Sequence, residues 1–198
     1  MKIGLTGSIA CGKSTVSSYL RTLGYTVVDA DAISHSLTAP GGAALPHLRS
    51  VFGDDIFDGD ILSRQRLGSL VFSDPAALNQ LNRILHPMII DRIREALDAA
   101  DAPGTLVFGD VPLLYECRME SMFDRVWVLH VPREVQIARL YARDGLSEAE
   151  AVKRIDAQMP LETKCRLADA VISTNGSIEN TQRQICALLT LALSRRPE

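Results

Sequence analysis

Eight residues near the amino terminus, Gly7-Ser8-Ile9-Ala10-Cys11-Gly12-Lys13-Ser14, keep the spacing G-x-x-x-x-G-K-[ST]. Each residue type has a use in holding phosphate. Gly7 and Gly12 permit torsions and close approaches that a Cβ forbids, so successive backbone N–H groups can turn toward an anion. Lys13 supplies an ammonium for the terminal phosphates of a nucleotide. The Ser14 hydroxyl can ligate the accompanying Mg²⁺, and Thr15 can support either role. Gly7, Ala10, Cys11, Gly12, Lys13, Ser14 and Thr15 therefore form the candidate nucleotide-binding set. The pattern is specific only between a strand and a helix. Here the run Lys2–Thr6 reads as a buried strand, and Thr15–Leu23 carries apolar residues at helical spacing up to Gly24. The loop thus opens a helix N-terminus, whose dipole also favours negative charge.

Phosphoryl transfer further requires charge neutralisation, alignment and a group that orients the nucleophile. Asp31, just past a second strand Tyr25–Asp29, can accept a proton from an acceptor hydroxyl or hold a metal-bound water. Aspartates at that point also cap helices, and Asp29 fits a turn-stabilising role. Asp110 follows the apolar run Leu106-Val107-Phe108, where an acidic group can help organise Mg²⁺, although strand-terminal aspartates are common in turns. Gln136, Arg139 and Arg143 are three and four residues apart, so one helix face carries an amide and two guanidinium groups. That face can close on a triphosphate, or simply be solvated. Arg64 and Arg66 open another helical segment and His86-Pro87 interrupts a third. Either can meet a phosphate-bearing acceptor, while His86 equally fits a buried structural imidazole.

Five strands are needed to position these groups. After the two already named come Thr105–Phe108, Arg125–Val131 and Ala170–Ser173, alternating with helices such as Glu134–Arg143 and Ile178–Ser194. The expectation is an α/β fold, a five-stranded parallel sheet flanked by helices with right-handed crossovers. Two stretches interrupt the alternation, at about 35–102 and about 134–167. The first should hold helices near 43–52, 64–72 and 75–100, with Asp74-Pro75 as a start signal and Pro87 kinking or breaking the last one. In the second, Gly145 separates two helices, Ser147-Glu148-Ala149-Glu150 forms a capping box and Pro160 marks an end.

The chain has 198 residues, 46% of them hydrophobic, enough for one domain spanning 1–198 with one substantial core. A formal charge of −3 argues against a general nucleic-acid or membrane-surface binder, so the expected partner is a small molecule. Cys11, Cys117, Cys165 and Cys186 are scattered without a C-x-x-C pair, which points to reduced thiols and a cytoplasmic setting. Met1-Lys2 lead straight into a strand rather than an apolar signal region. The apolar stretch Ile185–Leu193 is too short to span a bilayer. A monomer or weak homo-oligomer is expected.

Taken in order, Gly4–Ser14, Asp29-Ala30-Asp31, Leu85-His86-Pro87, Asp110–Glu116, Gln136 through Arg139 to Arg143-Asp144-Gly145, Gln158 and Ala168–Ile172 resemble the dephospho-coenzyme A kinase family nearly end to end. The resemblance implies a P-loop kinase fold and phosphorylation of the ribose 3′-hydroxyl of dephospho-coenzyme A by ATP with Mg²⁺. It casts Asp31 as general base, Lys13 and Ser14 as phosphate and Mg²⁺ ligands, and Arg139 and Arg143 as lid arginines. Arg64, His86, Leu113 and Glu116 would lie near the acceptor, gripped by the first insertion, while the second forms the lid. Family members often follow the last strand with Asp-Asn. Here Ser173-Thr174 stand there instead, leaving Asn175 as the candidate for adenine. The rival readings are another small-molecule or nucleoside monophosphate kinase, a GTPase and a non-catalytic ATP-binding module. No Asn-Lys-x-Asp guanine-reading motif occurs, and a pure binder has no need of Asp31.

Overall fold

The alternation of apolar strands and amphipathic helices folds, in this computed structural model, into a five-stranded parallel sheet flanked by helices. Residues 1–194 are described, so positions 195–198 of the expected 1–198 domain lie outside the described residues. The elements run β1 (Lys2–Gly7), α1 (Lys13–Thr22), β2 (Thr26–Asp29), α2 (Ala30–Leu37), α3 (Leu45–Phe52), β3 (Phe57–Asp58), β4 (Ile61–Leu62), α4 (Arg64–Ser73) and α5 (Pro75–Ala100). They continue with β5 (Val107–Asp110), β6 (Arg125–His130), α6 (Arg133–Asp144), α7 (Glu148–Asp156), α8 (Leu161–Leu167), β7 (Ala170–Ser173) and α9 (Ile178–Ser194). Strand order is β2-β5-β1-β6-β7. Chain progression therefore reverses at β1, with β5 on one side and β6 on the other, registered Leu5 to Asp110 and Gly7 to Leu129. Open α/β sheets bind ligands at the carboxyl ends of strands beside such a reversal.

The chain divides into two compact units, Met1–Val28 together with the chain from Ala99 onward, and Asp29–Asp98. In the first, Ile3, Leu5, Phe108, Trp127, Leu129 and Ile172 from the sheet pack with Val16 and Leu20 of α1 and Ile185 and Leu189 of α9. The Phe108 and Trp127 rings meet at a tilt of 58° with centroids 5.6 Å apart, a contact that adds to the area they bury. Helix α1 closes with Gly24 N–H donating to the Arg21 carbonyl and Tyr25 N–H to that of Leu20, a Schellman end. Helices α6 and α7 form a small core of their own from Leu140, Ala151 and Ile155, against which Ile9 and Ala10 of the glycine-rich loop pack.

The second unit is mainly helical, apart from the β3–β4 hairpin. Its core gathers Leu37, Leu48, Ile56, Phe57, Leu62, Leu67 and Val71. Asp74 starts α5 as expected, its carboxylate accepting the Ala76 N–H at 2.8 Å. Of the kink or break expected at Pro87, the break does not occur: α5 runs as one helix of 26 residues. Proline removes one backbone bond, but Leu81, Ile84, Leu85, Met88 and Ile89, on either side of Pro87, pack on the unit's core and hold the helix together. In the second insertion the Ser147–Glu150 capping box forms as read. Helix α7 ends at Asp156, and α8, which lacks its own periodic signal, follows Pro160.

Candidate active site

Strand β1, paired with β5 on one side and β6 on the other, delivers the glycine-rich loop. Gly7 is buried at the end of β1, and a Cβ there would collide with the Cys11 thiol and lie 2.9 Å from the Leu129 carbonyl oxygen. Gly12 takes φ +84 and stands as the N-cap of α1 with no side-chain capping bond. The first turn of α1 contains no acidic residue, which leaves an uncapped positive helix end, the usual seat for an anion. Ala10 also lies in the left-handed region, at φ 60. That conformation costs an L-residue about 1 kcal/mol and persists here because the surroundings fix it.

The surroundings do so by occupying the loop's carbonyl oxygens. Gln136 Nε2 donates to the Ile9 carbonyl at 2.7 Å. Arg139 donates to that of Ala10 at 3.1 Å. The Thr174 hydroxyl donates to that of Cys11 at 2.8 Å. Arg139 also donates to the Thr174 carbonyl at 2.7 Å, joining helix α6, the end of β7 and the loop. Gln158 Oε1 accepts the Ile9 N–H at 2.9 Å. Three consecutive carbonyl oxygens, the groups that would repel phosphate, are thus bound to donors from outside the loop. Such outside support holds the loop in shape before any ligand arrives. Burial pushes the Cys11 thiol up, with the nearby Lys13 pulling against it; Cys11 contributes to the site through its backbone.

Beside the loop, the Lys13 ammonium stands 3.7 Å from Asp110 Oδ1. Asp110 is buried at the carboxyl end of β5, and its Oδ2 accepts a 2.6 Å bond from the Ser17 hydroxyl. Oδ1 is buried without a hydrogen-bond partner. A carboxylate with one oxygen anchored and the other held only by the longer ion pair to Lys13 can hold a cation or its water. Ser14 and Thr15 are exposed on the first turn of α1.

The remaining sequence-predicted residues fall as follows. Arg143 is exposed and makes a two-pronged ion pair with Asp144, both distances 2.8 Å, which raises the guanidinium and lowers the carboxyl from their ordinary values. Asn175 is exposed just past β7. Leu113 is 37% exposed. Glu116 Oε1 accepts from the buried Lys164 ammonium at 2.8 Å and from the Met159 N–H at 3.0 Å. In the Asp29–Asp98 unit, Asp29 caps α2 through the Ala32 N–H, and Asp31 is exposed in the first turn of that helix. In the same unit Arg64 donates to the Thr38 hydroxyl at 3.3 Å, and His86 is half-buried on α5. Ser17 and Lys164 escaped the sequence reading. A serine one turn after the loop and a lysine in a short charged helix carry no spacing signal of their own.

A model of the dephospho-CoA kinase family (CoaE) matches residues 1–180. A protein named dephospho-CoA kinase from Carboxydothermus hydrogenoformans is 46% identical over 190 residues, 94% of this chain and 92% of its own length. Among solved structures, TT1252 from Thermus thermophilus superposes with a TM-score of 0.81 at 37% identity, covering 96% of both chains. Dephospho-CoA kinase from Campylobacter jejuni gives 0.76 at 29% identity over 98% of both. With a preorganised phosphate loop at the reversal of a parallel sheet and these end-to-end likenesses, the chain belongs to the dephospho-CoA kinase family.

Proposed function

We propose that this kinase transfers the γ-phosphoryl group of ATP to the ribose 3′-hydroxyl of dephospho-CoA, yielding CoA and ADP. The observation that carries the reading is the loop whose Ile9, Ala10 and Cys11 carbonyls are each held by an outside donor, in a chain matched by the family model over residues 1–180. In this reading the loop amides and Lys13 bind the triphosphate, stabilising charge that builds on the γ-phosphoryl oxygens. Asp31 accepts the proton as the 3′-oxygen bonds to the γ-phosphorus and the bond to the β-γ bridging oxygen breaks. Arg139 steadies the loop from the lid, Arg143 exchanges its Asp144 partner for phosphate, and Asn175 borders the adenine. Arg64, His86, Leu113 and Glu116 bound the acceptor.

Ser14 and Asp110 are the residues that would hold Mg²⁺, and Asp110 Oδ1, buried without a hydrogen-bond partner, suits that task. When bound, the ion neutralises charge on the β- and γ-phosphates. Among the described residues no helix is long and apolar enough to cross a membrane, and the four cysteines are free thiols. The cytoplasm is the setting this reading assigns, with no nucleic-acid partner and at most weak self-association.

Purified protein incubated with Mg-ATP should phosphorylate dephospho-CoA rapidly and nucleoside monophosphates slowly or not at all, with CoA and ADP quantified by chromatography. Rapid use of a monophosphate with dephospho-CoA left intact would overturn the assignment in favour of another small-molecule kinase.

A further inference from the structure

Among the described residues, Lys164 is the one lysine in the buried polar and charged set, with 0% exposure. Its ammonium donates to the Gly7 carbonyl at 3.1 Å and to the Pro112 carbonyl at 3.1 Å, and it pairs with Glu116 Oε1 at 2.8 Å. An ammonium has three N–H donors, and all three find acceptors. Those acceptors do not belong to one element. Gly7 begins the phosphate loop. Pro112 lies two residues past Asp110, and the Thr6 hydroxyl donates to the same Pro112 carbonyl at 3.1 Å. Glu116 belongs to the segment after β5 and also holds the Met159 N–H in front of α8. A single buried cation thus ties the start of the loop to the stretch that carries Asp110 and Glu116.

Burying an ammonium is unfavourable even when it is paired, and an apolar side chain of similar volume often serves stability as well or better. A lysine kept there therefore calls for a reason other than stability. Its field also reaches the loop, since it opposes the burial-driven rise of the Cys11 thiol. We infer that Lys164 is a positioning residue for phosphoryl transfer, an inference that rests on the kinase reading above. Through Gly7, Pro112 and Glu116 it fixes the separation between the phosphate loop and the Asp110 segment, so that the groups acting on the transferring phosphoryl are aligned before ATP binds. Alignment of this kind is expressed in the transition state more than in ground-state binding.

The test compares Lys164→Met, which keeps most of the length and loses the charge, with Lys164→Gln, which keeps two N–H donors. Each is measured for kcat, for KM toward ATP and for the slow hydrolysis of ATP by water, which needs the loop but no acceptor. Both variants should lose at least about 30-fold in kcat and in ATP hydrolysis, with KM for ATP within about threefold of the parent and Lys164→Gln the more active of the two. Folding is checked by circular dichroism and thermal melting; if Lys164→Met fails to fold, Lys164→Gln carries the comparison. Turnover within threefold of the parent in a folded variant would overturn the inference. So would a loss confined to KM, or failure of both variants to fold, either of which assigns Lys164 to binding or to stability alone. Failure of the parent protein to phosphorylate dephospho-CoA would instead overturn the functional reading, leaving the hydrolysis ratio to judge Lys164.

Discussion

Two aspartates near strand ends occupy different surroundings, and the difference assigns them different work. Asp110 is buried with one oxygen fixed by Ser17, so it suits a static role toward a cation. Asp31 is exposed in the first turn of α2, while the capping duty at that helix falls to Asp29. That exposure suits a proton acceptor that a substrate hydroxyl must reach. Asp31→Ala should therefore lower kcat about 100-fold or more, the usual range for losing a general base, with ATP affinity nearly unchanged. Steady-state kinetics and a fluorescent-nucleotide titration read the two quantities separately. Undiminished turnover would remove Asp31 from the chemistry, and a parallel loss of ATP affinity would make it a binding residue.

At the scale of elements, what could be read in advance depended on whether an element carries its own periodic signal. The strands of the sheet are short runs such as Val126-Trp127-Val128-Leu129, buried throughout, so their β-branched and aromatic content suffices. The loop announces itself through glycine and lysine spacing. Helix α2 does not, because it buries only Ala30 and Leu37 and starts directly where β2 ends. The seven-residue α8 is too short for a period to emerge. The contacts of Lys164 with Gly7 and of Ser17 with Asp110 join residues 157 and 93 positions apart, a relation that no local pattern encodes. Pro87 shows the opposite case, a local break signal that packing overrides so that the helix continues past it. Since the helix persists around a residue that cannot donate a backbone bond, Pro87→Ala should restore that bond and relieve the ring's clash. The gain in unfolding free energy should be at least about 1 kcal/mol, bounded by the roughly 3 kcal/mol difference in helix propensity. Urea denaturation followed by circular dichroism checks it. A variant no more stable than the parent would mean that the helix bends to accommodate proline without penalty.

The whole chain is organised so that one strand, β1, is both the centre of the sheet and the source of the loop. Anything that binds the loop therefore acts on the best-buried part of the first unit, where Ile3, Leu5 and Leu129 have 0% exposure. Ligand binding to the native state alone stabilises it by mass action, about 2.7 kcal/mol at a free concentration one hundred times Kd. For a chain of this size each kcal/mol moves Tm by about 2–4 °C, so Mg-ATP at that concentration should raise Tm by about 5–11 °C. Lys13 sits 3.7 Å from Asp110 and is only 17% exposed at its side chain. Without a phosphate present, its charge faces a carboxylate across a gap too long for a hydrogen bond. Lys13→Ala should then leave the ligand-free Tm near that of the parent while removing most of the ATP-induced rise at the same nucleotide concentration, since the affinity falls. Differential scanning calorimetry of both proteins, with and without Mg-ATP, measures the four values needed. A full ATP-induced rise surviving in Lys13→Ala would mean that the triphosphate is held away from the loop, whatever the loop's geometry suggests.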